Sequence, residues 1–383
     1  MKPTKAIYAF SGDPITYGHI HVIERAAKIF NELVVGIGIN PAKKYLFTIE
    51  ERLELATKAL AKFKNVKVVP FQGLLVDFAF ENDIPVIIRG LRNSEDFNME
   101  IMLHQIGESQ KCNIETLFFP SNQNMGHISS GATKALQLEQ GFVFEYVPLN
   151  VKQKLEEKLS GQFIIGITGE IGTGKSFVSG KLAMMAQKVN VPFHVVDLDK
   201  IAHQILESLT QPLYKELRET LIKTFGENIR NEEGYISRKQ LGKILFQDTK
   251  KLQEFNALIK APLLLRLRRE MYGKKGIILL DGALIAESEM TYLCNNNIIL
   301  ISTKKELQMK RLRDRSYSDE QIHQRMNSQY STDKKRENIL EIIERDQYGK
   351  LIRFENLDEE GAEEKLFNRL IDAFYKTGIL EIK

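Results

Sequence analysis

The first 160 residues alternate short apolar runs with longer stretches whose apolar positions recur at helical spacing. The runs at 6–10, 33–39, 66–70, 85–88 and 116–119 read as strands. Helices are expected at 18–30, 52–61, 74–82, 95–109, 129–139 and 150–159, and Thr48-Ile-Glu-Glu51 has capping-box form ahead of the second of these. This rhythm predicts crossover connections and a parallel sheet. The charged stretch Val151-Lys-Gln-Lys-Leu-Glu-Glu-Lys-Leu159 closes that domain, and Phe163 already begins another strand. A joint of only Ser160-Gly161-Gln162 predicts two domains, 1–160 and 161–383, held close to one another. Beyond it, strands are expected from 163 and at 193–196, 276–280 and 297–301, with helices between them through about residue 270 and helices again at the end. The fold class is therefore α/β, as two domains that both have parallel sheets.

Composition narrows the picture. The chain has 383 residues, 43% hydrophobic and 27% charged, which is the balance of a folded protein rather than a disordered one. A net charge of +4 says little about partners, because the basic runs 304–315 and 334–345 are interspersed with acids and read as solvated helix faces; nucleic acid is not an expected partner. Cys112 and Cys294 stand far apart without zinc-ligand spacing, so a reducing, cytoplasmic setting is expected. No apolar stretch approaches the roughly 20 residues of a membrane span, and no membrane association is expected.

The strongest chemical signal is Gly169-Glu-Ile-Gly-Thr-Gly-Lys175-Ser176, behind an apolar strand and before a helical pattern. Its backbone N–H groups, notably around Gly169, Gly172, Thr173 and Gly174, can curl round a polyphosphate; Lys175 can reach the β- and γ-phosphates, and the Ser176 hydroxyl suits Mg²⁺. ATP with Mg²⁺ is the expected ligand. Asp197 and Asp199 follow at the carboxyl end of the next strand, where one can abstract a proton; their spacing also fits a helix cap.

In the first half, Ser11-Gly-Asp13-Pro14-Ile-Thr16-Tyr-Gly18-His19 leads from a strand into a helix N-terminus, where His19 can donate to a phosphate oxygen and Gly18 lets a nucleotide approach the backbone. The Thr16-x-Gly18-His19 loop resembles the signature of the nucleotidyltransferase superfamily. With Asn40-Pro-Ala-Lys43-Lys44, Phe47-Thr-Ile-Glu-Glu-Arg52, Arg89-Gly-Leu-Arg92, Asp96-Phe-Asn-Met-Glu100 and Ile128-Ser129-Ser130 in the same order, residues 3 to about 160 resemble bacterial-type phosphopantetheine adenylyltransferase. The resemblance implies a Rossmann-like nucleotidyltransferase domain that joins 4′-phosphopantetheine to the α-phosphorus of ATP. It implies that His19 and Lys43 hold the phosphates and that Ser11 bonds the incoming one. Arg89 would contact the triphosphate, and Arg92, Glu100, Ser129 and Ser130 would complete the ATP site. Leu74 and Leu75 fall where the family lines its pantetheine pocket. A phosphate nucleophile is already anionic, so the reaction needs alignment and charge stabilisation rather than a base. Bacterial relatives of this domain suggest a homo-oligomer. The chain departs from the family pattern in Ser11-Gly12, which shifts the loop glycine, and in Gly131.

From about residue 163 to 356 the chain resembles dephospho-CoA kinase, through the phosphate loop, Asp197-x-Asp199-x-Ile-Ala-His203 and Lys310-Arg311-Leu-Arg313-Asp-Arg315. The resemblance implies that Asp199 is the general base, that Asp197 lies near the metal, that Thr168 helps to position the carboxylate, and that Arg311 and Arg315 belong to a lid closing on ATP. Ser318-Asp-Glu-Gln321 reads as a helix cap, and Arg325-x-x-x-Gln329 matches the family pattern after the lid. Ala261-Pro262 and Ala283 replace family residues that bear on the acceptor. The product of the first implied reaction, dephospho-CoA, is the substrate of the second, so the two resemblances imply the last two steps of coenzyme A synthesis. A diverged second domain that senses nucleotide or phosphorylates another acceptor is the alternative.

Overall fold

The computed structural model describes residues 4–375 apart from 42, 246–247, 328, 358 and 360. Ala42, in the 40–44 block, and residues 376–383, the end of the second expected domain, lie outside the described residues. The chain divides into two compact units, Met1–Leu155 and Glu156–Lys383.

The first unit runs β1 (Lys5–Phe10), α1 (Tyr17–Ile29), β2 (Glu32–Gly38), α2 (Ile49–Leu60), β3 (Val66–Phe71), α3 (Leu75–Glu81), β4 (Val86–Leu91), α4 (Ser94–Ser109), β5 (Glu115–Pro120), α5 (Ser130–Leu138) and α6 (Leu149–Leu155). Its five strands are parallel in the order β3-β2-β1-β4-β5. The order reverses direction at β1, so the loops leaving β1 and β4 flank the crevice where open α/β sheets take ligands. Ile7, Val34, Ile84 and Ile87 form one face of the core with Ala79. The Thr48–Glu51 capping box forms as the spacing predicts, with Glu51 N–H donating to Thr48 Oγ1 at 3.3 Å and Thr48 N–H donating to Glu51 Oε2 at 2.9 Å.

In the second unit, a wide helical turn at Glu156–Ser160 leads into β6 (Gln162–Gly169), α7 (Lys175–Lys188), β7 (Phe193–Asp197), α8 (Leu198–Glu207), α9 (Pro212–Phe225), α10 (Arg238–Leu245), α11 (Thr249–Met271) and β8 (Gly276–Asp281). β9 (Asn297–Ser302), α12 (Lys305–Asp314), α13 (Asp319–Asn327), α14 (Thr332–Asp346), β10 (Lys350–Glu355) and α15 (Ala362–Tyr375) complete it. The sheet is again parallel, in the order β10-β9-β6-β8-β7. Every residue of β6 and β8 is buried, as strands covered on both faces require. One strand escaped the sequence pattern. Lys350-Leu-Ile-Arg-Phe-Glu355 was expected to be part of a helical tail, but it pairs with β9 as an edge strand. Only Ile352 is fully buried there, so the segment lacks the apolar run by which its neighbours are recognised.

Candidate active sites

All strands within a unit run the same way, so the loops that carry chemistry in each unit gather at the carboxyl edge of its sheet. In the first unit His19 enters the opening turn of α1. Its Nδ1 accepts from the Thr16 backbone N–H at 3.0 Å, and its ring stacks on Phe10 with centroids 4.2 Å apart. A backbone amide can only donate, so the ring proton of neutral His19 sits on Nε2. Burial, and then the positive charge of Arg92, push its pKa down to about 3. At neutral pH His19 is therefore an uncharged Nε2–H donor held at a helix N-terminus.

The loop around it is tied down from three sides, by Asp13 and Arg52, to which the sequence assigned no role, and by Ser130. Buried Asp13 accepts from the N–H groups of Leu46 and Phe47 at 3.1 and 2.9 Å and pairs with Lys134 at 2.5 Å. Arg52, 2% exposed, donates to Ser11 O and Gly38 O at 2.6 and 2.9 Å while stacking on Tyr45. The Ser130 hydroxyl donates to Pro14 O at 2.8 Å, and Ser129 caps α5 by accepting from Ala132 N–H at 3.1 Å. Lys43 stands exposed on the loop after β2, which Asp13 anchors at its far end. Gly18 packs under Ile128 O, where a Cβ would stand at 3.4 Å.

The spacing of Arg89-x-x-Arg92 and Asp96-x-x-x-Glu100 also acquires a structural reason. β4 runs through Arg89, and the first turns of α4 present the two carboxylates to the two guanidiniums. Arg89 pairs with Glu100 at 3.2 Å, and Arg92 forks onto Asp96 at 2.7 and 2.9 Å. Burial holds the Glu100 carboxyl above its ordinary range, with Arg89 offsetting part of that rise. Glu100 thus orients Arg89. Leu75 packs against the core, leaving exposed Leu74 as the apolar group of that turn.

In the second unit the phosphate loop joins β6 to α7, with Lys175 in the first helical turn. Lys175 Nζ folds back onto Gly169 O and Glu170 O at 2.8 and 3.2 Å. Burial lowers its pKa, while nearby Asp281 and Asp199 work the other way. Gly174, at φ +89°, leaves room for Asn356, whose Nδ2 would lie 2.3 Å from a Cβ there and donates to Thr173 O at 2.9 Å. Arg311 also donates to Thr173 O, at 3.2 Å, whereas Arg315 is exposed at the end of α12. Gln329 Oε1 accepts from Ile171 N–H at 3.0 Å, and Ser318 and Gln321 bond reciprocally as a cap. Ser176 is exposed at the start of α7.

The two predicted carboxylates divide their work. Asp197 caps α8 through Lys200 N–H at 2.8 Å. Asp199, two residues on, accepts from Ala283 N–H at 3.4 Å. Its carboxyl is held above its usual range, first by poor solvation among its neighbours although the residue keeps an exposed side, and also by the charge of Asp197. Thr168 does not bond Asp199 itself: its hydroxyl donates to Ala283 O at 3.1 Å, on the other side of the Cα from the N–H that Asp199 accepts. A third carboxylate, Asp281, lies beside Asp197 in the strand register, 8% exposed. Burial pushes its pKa up to about 6 against the pull of Lys175, and Ser179 donates to it at 3.2 Å. The signal for it was present: Ile277-Ile-Leu-Leu is an apolar strand that ends in an acid. For Lys335, which is 0% exposed and bonded to Ala283 O at 2.6 Å, no such signal exists. It belongs to the basic run read as a solvated helix face, and that reading is corrected at this residue.

Two α/β domains, each with a candidate phosphate loop at the carboxyl edge of a parallel sheet, have the arrangement of a nucleotide-handling transferase, and the family matches agree. Residues 163–348 match the dephospho-CoA kinase family model, and residues 11–135 match the cytidylyltransferase-like model. The protein carries a cytidylyltransferase-like domain followed by a dephospho-CoA kinase domain, a pair that fits a coenzyme A synthase fusing an adenylyltransferase to dephospho-CoA kinase. Solved structures similar to it include TT1252 from Thermus thermophilus, at 23% identity over 56% of this chain and 97% of that one, TM-score 0.42. Another is the dephospho-CoA kinase from Campylobacter jejuni, at 20% identity over 57% of this chain and 99% of that one, TM-score 0.33. No helix among the described residues is long and apolar enough to cross a membrane.

Proposed function

We propose that the protein carries out the last two steps of coenzyme A biosynthesis. In the first, the phosphate of 4′-phosphopantetheine attacks the α-phosphorus of ATP, and pyrophosphate leaves. In the second, ATP phosphorylates the ribose 3′-hydroxyl of dephospho-CoA. The observation that carries this reading is a contrast between the two sites. The first presents a neutral histidine donor and cations, while Asp13, Asp96 and Glu100 are each paired with a cation. The second places a carboxylate of raised pKa, Asp199, near the phosphate-loop lysine. An anionic phosphate nucleophile needs no base, whereas a ribose hydroxyl benefits from one.

In the first reaction His19 Nε2–H and Lys43 stabilise the charge that develops on the phosphates, Ser11 bonds the incoming phosphate, and Arg89 and Arg92 bind the triphosphate. In the second, Lys175 leaves its loop carbonyls for the phosphates, Arg311 supports the loop from the lid side, and Asp199 takes the hydroxyl proton. For the metal, the donors on hand are the Ser176 hydroxyl and the carboxylates of Asp281 and Asp197, all hard oxygens. The described residues hold no group of three or more His, Cys, Asp or Glu that could cage an ion by itself. That set fits Mg²⁺ arriving on a triphosphate and keeping its waters; when bound, it neutralises charge on the phosphate oxygens.

α4 buries none of its residues and exposes Met99, Met102, Leu103 and Ile106, a face that supports a homo-oligomer built through the first domain. We place the protein in the cytoplasm, in keeping with two cysteines that form no disulfide.

The test is to incubate the protein with 4′-phosphopantetheine, ATP and Mg²⁺ and resolve the products by mass. CoA from the wild type, dephospho-CoA alone from Lys175→Ala, and neither from His19→Ala would support both assignments. A wild type that stops at dephospho-CoA would sink the kinase assignment.

A further inference from the structure

Lys335 lies in the second unit, early in α14, and its ammonium has no access to water. Burying such a charge costs several kcal/mol before pairing, and an apolar side chain of similar length would fill the space at less cost. Its surroundings indicate what the charge does there. The Nζ donates to Ala283 O at 2.6 Å and pairs with the Glu287 carboxylate. The N–H of the same residue, on the other side of its Cα, donates to Asp199 Oδ2 at 3.4 Å. That contact is long, and catalytic hydrogen bonds of this kind often tighten only in the reactive complex. Thr168, immediately ahead of the phosphate loop, donates to the same carbonyl.

The chain just before Lys335 is equally committed. Tyr330 N–H donates to Glu287 Oε1 at 3.1 Å. Thr332 donates to Glu170 of the phosphate loop through both its N–H and its hydroxyl, at 2.5 and 2.8 Å, and Gln329 accepts from Ile171 N–H. Residues 329–335 follow α12, which carries the lid residue Arg311, and α13, and they touch both the phosphate loop and the 283–287 turn. Glu287 Oε2 is buried with no hydrogen-bond partner, so the pair is not closed for maximal stability.

We propose that the Lys335–Glu287 pair is a positioning device: by anchoring the Ala283 carbonyl it fixes the backbone of that residue, whose N–H orients the Asp199 carboxylate, and it joins that carboxylate to the chain leaving the lid. Lys335 acts through Ala283 and does not touch the reacting atoms. The inference rests on Asp199 being the base of the kinase reaction. It also accounts for an alanine at 283, because the backbone rather than the side chain makes both contacts.

The test compares the full-length wild type with Lys335→Met and with Lys335→Met/Glu287→Gln. The single variant strands a carboxylate in the interior and loses stability for that reason alone. The double variant removes both charges and should keep a thermal midpoint close to wild type, since neutral replacements of buried pairs are generally tolerated. Turnover is read on dephospho-CoA and, with no acceptor, as slow hydrolysis of ATP. The double variant should keep the KM for ATP within about threefold while kcat falls about 10- to 100-fold, the usual cost of losing a supporting contact. Wild-type kcat in the double variant, or a loss carried by KM for ATP, would overturn the proposal. A wrongly assigned acceptor shows up differently, as wild-type hydrolysis without turnover of dephospho-CoA, and the pair is then judged on hydrolysis.

Discussion

His19 and Asp199 show how single positions acquire their chemistry. Nothing in a histidine dictates which nitrogen carries the proton; the Thr16 amide does so by occupying Nδ1. With its pKa lowered to about 3, His19 takes up no proton as pH falls from 8.5 to 6.5, and adenylyl transfer should show no histidine step in that range. Because the unfolded chain binds that proton near 6.5 and the folded protein only near 3, stability is fully present above pH 6.5 and declines as pH falls towards 3. Urea midpoints of wild type and His19→Gln should therefore converge through that window. Asp281→Asn should lower the kinase rate at least about 100-fold while leaving adenylyl transfer within twofold, if its carboxylate supports charge at the phosphates. Gly12 sits at φ +65° with Ile37 Cδ1 3.1 Å from where a Cβ would stand, so Gly12→Ala should cost about 1–2 kcal/mol by urea unfolding. The shift of the glycine to this position is thus an adaptation of the backbone as well as a change of motif. A Cβ at 131 would meet only Ser129 Oγ, at 4.0 Å, and Gly131→Ser should be silent in the same assay.

At the scale of elements, the arginine and carboxylate motifs form one device, made by docking the start of α4 against the end of β4. Asn93 caps that helix by accepting from Asp96 N–H at 2.8 Å. Asn93→Ala should cost about 0.5–2 kcal/mol and raise the KM for ATP in the first reaction, because loosening the cap frees Asp96 from Arg92. The exposed apolar face of the same helix makes a separate prediction. Met99→Lys/Ile106→Lys should shift the sedimenting species towards monomer with the kinase rate unaffected; an unchanged sedimentation coefficient would remove α4 from the interface. In the second unit α14 reads as a polar helix along most of its length, yet Lys335, Ile339 and Ile342 are buried. Its charged composition conceals a helix packed on the sheet.

Across the whole molecule, each unit closes its own sheet and core, and that independence is testable. Ile299, fully buried in β9, packs with Ile167, Val178 and Leu366. Ile299→Ala should cost about 2–5 kcal/mol and lower the temperature at which kinase activity is lost, leaving heat inactivation of adenylyl transfer unchanged. The sequence by itself determined the parallel α/β class, nine of the ten strands among the described residues and the place of the two candidate phosphate loops between strand and helix. These features rest on local regularities: apolar runs, glycine spacing and helix-start chemistry. The tertiary structure alone decided the tautomer of His19, the pairing of Arg89 with Glu100, the bracing by Asp13 and Arg52, and the burial of Lys335 beside Glu287. Each of those depends on groups distant in sequence that meet only when the sheets close, and a buried charge is indistinguishable from a solvated one until its neighbours are in place.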